Sequence, residues 1–189
     1  FQMVLSAMFI AIIILQSFVP FLGNLPLFIL DITIIHITVI VGGIVLGPKA
    51  GFLLGFAWGF SSFLRAFTSG NAVTFMIFTN PFISILPRLL MGGLIALFYH
   101  KMSKVITYDK LRMALSGFLG SLMNTILVLG LIYLLMAGQY AELTGKTVAE
   151  LPLVLMGIVM SNGIAEAIAA SIMTPIIASV LLSVSKKRG

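Results

Sequence analysis

The chain contains no cysteine in its 189 residues. That excludes a disulfide scaffold, thiolate metal sites and a thiol nucleophile. Charge is nearly as scarce: Asp, Glu, Lys and Arg make up 8% of the residues, against 60% hydrophobic ones, and the mean hydropathy is +1.21. Soluble domains carry about 25% charged residues, so the whole length reads as an integral membrane protein. No stretch is polar enough to form a second, soluble domain. Catalytic signatures are missing too. Gly47-Pro-Lys-Ala-Gly51 is not a phosphate-binding loop, so the chain is expected to hydrolyse no nucleotide itself. Neither His-Glu-x-x-His nor Gly-x-Ser-x-Gly occurs, and no cofactor is implied. A proton relay wants a chain of acids and histidines within the spans, where only Glu166 and His36 qualify.

What is present is a series of long apolar runs. Windows of about 20 residues mark six helices, at 3–21, 31–48, 51–66, 79–99, 113–136 and 153–183. They predict an all-α bundle in one membrane domain spanning 1–189. Phe1 is not expected to be the natural start. Residues 3–21 read as a membrane helix, not a cleaved signal peptide, because no small-x-small cleavage site follows. Breakers separate the spans: Gly-Asn-Leu-Pro at 23–26, Gly47-Pro48, and Thr68 to Ala72. A basic linker runs from His100 to Arg112, and a polar stretch from Gly138 to Pro152. With the N-terminus in the cytoplasm, the inner side holds Lys49, Lys101, Lys104, Lys110, Arg112, Lys186, Lys187 and Arg188. The outer side holds Arg65 and Lys146. Eight against two supports six helices with both termini inside. No inverted repeat links the halves, which argues against a two-fold secondary carrier.

Five polar groups fall well inside spans: His36, Arg88, Asn124, Asn162 and Glu166. Arg88, Asn124 and Glu166 lie about 18, 16 and 25 Å from the cytoplasmic ends of their helices, at about 1.5 Å per residue. They are expected to converge on one cavity in the central and outer part of the bundle. Asn162 and Glu166, four apart, share a helix face. A guanidinium at mid-membrane keeps its charge and costs roughly 3 kcal/mol or more unless something receives it. Two readings stay open. Arg88 and Glu166 form a buried ion pair, or Arg88 faces a ligand carboxylate or phosphate while Asn124, Asn162 and Glu166 take hydroxyl and amide groups. Asn80 reads as a helix cap or as part of the cavity mouth, and Asp31 as the N-cap of the second span. Trp58, Phe60 and Phe63 read as packing aromatics. Gly47, Gly51, Gly55 and Gly59 line one face of the third span, either for packing within the bundle or for docking another subunit.

Two runs carry a family resemblance. Ala7-Met-Phe-Ile-Ala11 resembles the Ala-x-x-x-Ala docking motif in the first helix of the S components of energy-coupling factor (ECF) vitamin transporters. Ile35-His-Ile-Thr-Val-Ile-Val-Gly-Gly-Ile-Val-Leu-Gly-Pro-Lys49 resembles the second-helix signature of the pantothenate-type S components, with Thr38 where proline is expected. The steps Asn80-Pro81 and Pro87-Arg88 are similar to that subgroup as well. The resemblance implies a substrate-binding subunit that captures a vitamin from outside and hands it to a transmembrane coupling subunit with two ATPases. It implies docking through Ala7 and Ala11, in the cytoplasmic membrane of a prokaryote. Pantothenate suits the polar set, its carboxylate meeting Arg88 and its hydroxyls and amide meeting Asn124, Asn162 and Glu166, with His36 and Asn80 as further candidate substrate-binding residues. An S component for another vitamin, a proton-coupled carrier, and a membrane enzyme or scaffold are the competing readings.

Overall fold

The computed structural model describes residues 2–19, 22–27, 30–68 and 72–186. Helix α1 runs from Gln2 to Phe18 and buries Phe9, Ile13 and Ser17, which recur every fourth position on one face. The end of the expected first span, at Pro20 and Phe21, lies outside the described residues, as do Ser69, Gly70 and Asn71 between spans three and four, and Lys187 and Arg188 at the C-terminal end.

The second span begins later than its hydropathy indicates. Asn24–Leu27 (β1) and Leu30–Thr33 (β2) pair as an antiparallel hairpin, with Leu27 opposite Leu30 and Asn24 opposite Thr33. Helix α2 starts only at Ile35 and ends at Leu46. Asp31 therefore lies in a strand, and Ile34 takes the N-cap position expected of it. The β-branched Ile32 and Thr33 suit a strand as well as a helix, and hydropathy does not separate the two. Helix α2 is apolar all round and buried on nearly every side, which makes it the centre of the bundle. Its Thr38 hydroxyl donates to Gln16 Oε1 of α1 at 2.9 Å, a link that proline there would not supply.

Gly47, at φ 95°, closes α2 and opens α3 (Pro48–Ala66) with Pro48 in its first turn. The fourth span is broken. Ala72–Phe78 (α4) and Pro81–Ser84 (α5) precede the long helix α6, Leu86–Lys101. Helix α7 covers Asp109–Thr144, 36 residues or about 54 Å, well beyond an apolar bilayer core of about 30 Å. It kinks at Met136, and the polar stretch expected from Gly138 is helical as far as Thr144. The last span is α8 (Leu151–Ile158), a π-helical turn (Val159–Gly163) and α9 (Ile164–Lys186).

Pro81–Lys104, Asp109–Thr144 and Val148–Val184 are long and apolar enough to cross a membrane, and α1 and α2 are shorter apolar helices. The chain is a membrane helical bundle. Leu134, Leu153, Met156 and Val180 present exposed apolar surface of the kind lipid covers. Main-chain contact between α3 and α6 is set by glycine. A Cβ on Gly51 would lie 2.3 Å from the Gly92 carbonyl oxygen, and one on Gly59 would lie 2.7 Å from Ile85 Cα. Gly51, Gly55 and Gly59 of the strip are thus used inside the bundle, whereas Gly47 meets nothing within 4 Å.

Candidate functional site

Arg88 owes its position to its neighbours in sequence. Pro87 has no N–H, so the carbonyl of Ile83, four residues back, loses its helical donor. Arg88 Nη1 donates to that carbonyl at 2.7 Å. The backbone is held from the other side, because a Cβ on Gly55 would fall 2.2 Å from the Arg88 carbonyl oxygen. One turn along α3 from Gly55 stands Trp58, the single tryptophan of the chain. Its ring centroid is 5.2 Å from Arg88 Cζ, and that of Phe78 is 4.9 Å away. Both are within cation–π range. Arg88 is 6% exposed, and its Nε has no hydrogen-bond partner.

No ion pair within 4.0 Å joins Arg88 to Glu166. The two charges are near enough to act on each other, but they do not touch. Glu166 turns instead to the hairpin, where its Oε1 accepts the Thr33 N–H at 2.7 Å. The expected direct pair is therefore not formed.

His36 and Asn124 share one level of the bundle. A Cβ on Gly120 of α7 would lie 2.7 Å from Ile40 Cδ1 of α2 and 3.2 Å from Ile95 Cγ1 of α6. One turn further toward the hairpin, α2 carries His36 and α7 carries Asn124, while α6 carries Met91 and then Arg88. His36 is buried beside the backbones of Thr33 and Glu166, with Nε2 unpartnered. Asn124 Oδ1 is buried and unpartnered as well. Buried polar atoms without partners are uncommon and ask for an explanation.

Asn162 lies in the π-helical turn, a distortion frequent at functional sites. The turn alters the helical register, so the four-residue spacing to Glu166 no longer guarantees a shared face. Asn162 Oδ1 accepts from Ser161 Oγ at 3.3 Å. The next residue, Gly163, packs on Thr125, beside Asn124: a Cβ there would lie 3.1 Å from Thr125 Cγ2. Asn80 takes its capping role, accepting the Phe82 N–H at 3.0 Å to start α5. Trp58 keeps its expected packing role, buried in the core, and also lies against Arg88. Phe60 and Phe63 do not join it. They belong to a run of rings, Phe56, Phe60, Phe63, Phe67 and Phe75, each 5.2 to 6.4 Å from the next. Trp58 and Phe60 are two positions apart on the helix, which turns them to opposite sides. The sign of Trp58's placement in the sequence is its three-residue offset from Gly55, and Pro87 marks the open Ile83 carbonyl; nothing marks Phe78.

At the far end, Ala7 and Ala11 are exposed on α1. Ala7 lines a groove of about 690 Å³ with Met3, Ile10, Leu46, Pro48 and Leu53, between α1 and the α2–α3 turn. Among the described residues, no three His, Cys, Asp or Glu side chains gather as a metal site.

Residues 1–178 match the family described as "ECF transporter, substrate-specific component". Two curated proteins are similar over nearly their whole length. One is the pantothenate transporter PanT of Leuconostoc mesenteroides, 31% identical over 99% of this chain and 95% of its own. The other is the pantothenic acid transporter PanT of Lactococcus lactis, 32% identical over 93% of this chain and 90% of its own.

Proposed function

Because the chain belongs to the substrate-specific components of ECF transporters, we propose that it captures pantothenate at the outer face of a prokaryotic cell membrane, with both termini in the cytoplasm. It releases the vitamin inward only with a transmembrane coupling subunit and two ATPases, and hydrolyses no nucleotide itself. The substrate reading is supported by the two relatives described as pantothenate transporters. The observation that carries the site is the buried guanidinium of Arg88, which has no carboxylate within 4.0 Å among the described residues. A ligand carboxylate is the natural partner for such a fork. The aromatic walls of Trp58 and Phe78 exclude water and strengthen that attraction.

Pantothenate also brings an amide and two hydroxyls. Asn124 Oδ1 accepts one of their hydrogen bonds, and His36 Nε2 adds to the polar lining; Asn162 offers its amide N–H groups from the π-helical turn. Asn80 stays a helix cap at the mouth. Docking on the coupling subunit uses Ala7 and Ala11, where small side chains and the adjacent groove admit a partner helix closely.

The direct test is binding of labelled pantothenate to the purified chain, beside Arg88→Ala. Tight binding that survives the substitution would show the carboxylate assignment to be wrong. For docking, Ala7→Trp abolishes uptake by the assembled transporter and leaves pantothenate affinity within about twofold, since Ala7 is remote from Arg88. An equal loss of binding would make Ala7 a packing residue.

A further inference from the structure

The hairpin needs an anchor. Each of its strands has four residues, and a lone two-stranded hairpin is marginal at best. Its base is closed by Ile34 N–H donating to the Gly23 carbonyl at 2.9 Å. The bond from Thr33 N–H to Glu166 reaches across 133 residues to α9. A carboxylate acceptor makes it charge-assisted, about twice as strong as a neutral hydrogen bond. Glu166 also stands next to the π-helical turn, and its backbone lies beside His36. The hairpin, the polar turn of α8–α9 and the first turn of α2 therefore meet at this one residue.

We infer that Glu166 is a positioning residue that latches the β1–β2 hairpin to α9 over the ligand chamber, and does not itself bind the ligand. Holding Glu166 on Thr33 keeps its carboxylate out of contact with Arg88, so the guanidinium fork remains available to an anion. The consequence for ligand retention rests on the pantothenate reading; the latch itself does not. With the latch intact, the hairpin opens rarely and a captured ligand leaves slowly. Without it, the hairpin opens on its own and the ligand escapes, while the walls that first receive the ligand stay in place.

The test follows hydrogen exchange of the peptide covering residues 22–35 in the purified, ligand-free protein, for the parent, Glu166→Ala and Glu166→Gln. Glu166→Ala exchanges the hairpin amides about tenfold faster as a group. Glu166→Gln keeps an acceptor oxygen and stays within about threefold of the parent. Thr33→Pro removes the donor without touching α9 and matches Glu166→Ala. Detergent size-exclusion profiles establish that each variant is folded, and Thr33→Pro stands in if Glu166→Ala is not. Acceleration confined to Thr33, or none, overturns the latch. In pantothenate kinetics, Glu166→Ala raises the dissociation rate about tenfold and changes the association rate by less than threefold. A Glu166→Gln defect as large as that of Glu166→Ala overturns the inference, because charge toward the ligand would then be the role of Glu166. Absence of pantothenate binding to the parent refutes the function proposed above, and the exchange rates still judge the latch.

Discussion

Arg88 and Arg112 are both buried, 6% and 8% exposed, and both lie against aromatic rings, yet they end in opposite circumstances. Arg112 was counted among the cytoplasmic loop charges. It sits in the first turn of α7, bonded to the Asp109 carboxylate three residues before it and to the Tyr99 hydroxyl at 3.3 Å, with Cζ 4.4 Å from the Tyr99 ring centroid. Its charge is answered by its own helix. Arg88 is answered by a single backbone carbonyl and two ring faces. An arginine paired within one turn of itself is a structural device. A buried arginine with no carboxylate in contact among the described residues, near other unpartnered polar atoms, is what the function proposed above calls on to receive an anionic ligand.

The sharpest way to break that contrast is to truncate each arginine. Arg88→Ala lowers pantothenate affinity by about a hundredfold or more, the usual effect of removing one side of a buried charged contact. Arg88→Lys recovers little of it, because an ammonium lacks the planar fork. Isothermal titration on the purified variants measures both. A smaller perturbation leaves the guanidinium in place and moves its support. Gly55→Ala puts a methyl group against the Arg88 carbonyl and reduces affinity about tenfold through a shift of α6, whereas Gly130→Ala, which meets nothing within 4 Å, has no effect. Equal affinities for these two would sever the link between the α3–α6 contact and the site. The smallest binding effect belongs to Arg112→Ala. Affinity stays within about twofold, and stability falls by about 1–2 kcal/mol as the Tyr99 stacking and an ion pair with a largely exposed acid are lost. Thermal melts beside binding curves separate the two outcomes, and a Kd that rises with the fall in melting temperature would erase the contrast.

Much of the candidate site is legible in the sequence. His36, Arg88 and Asn124 stand out because a membrane tolerates polar side chains only with a reason, and the tertiary contacts bring them to neighbouring layers. Less legible was the purpose of Glu166. Opposite charges at similar depth read naturally as a pair, whereas the competing partner is a backbone N–H, which every residue but proline carries and no pattern marks. The hairpin was missed for a related reason. Eight residues of mixed apolar and β-branched character beside a long apolar helix extend the hydropathy window without changing it. The glycine strip was visible at its four-residue spacing. Which helix it received was not, since close backbone approach has the same signature within a chain as between chains.

The sequence by itself determined the solvent of this protein and the scarcity of its charges, because transfer of side chains into lipid depends on composition over about 20 residues and on little else. Helix breaks at proline and glycine were likewise local matters. Only the tertiary structure decided that Arg88 is walled by Trp58 and Phe78, that it stands clear of Glu166, and that Glu166 reaches the hairpin instead. Those outcomes depend on helix rotation and on which carbonyls and amides are left open. Both are fixed by contacts between segments far apart in the chain.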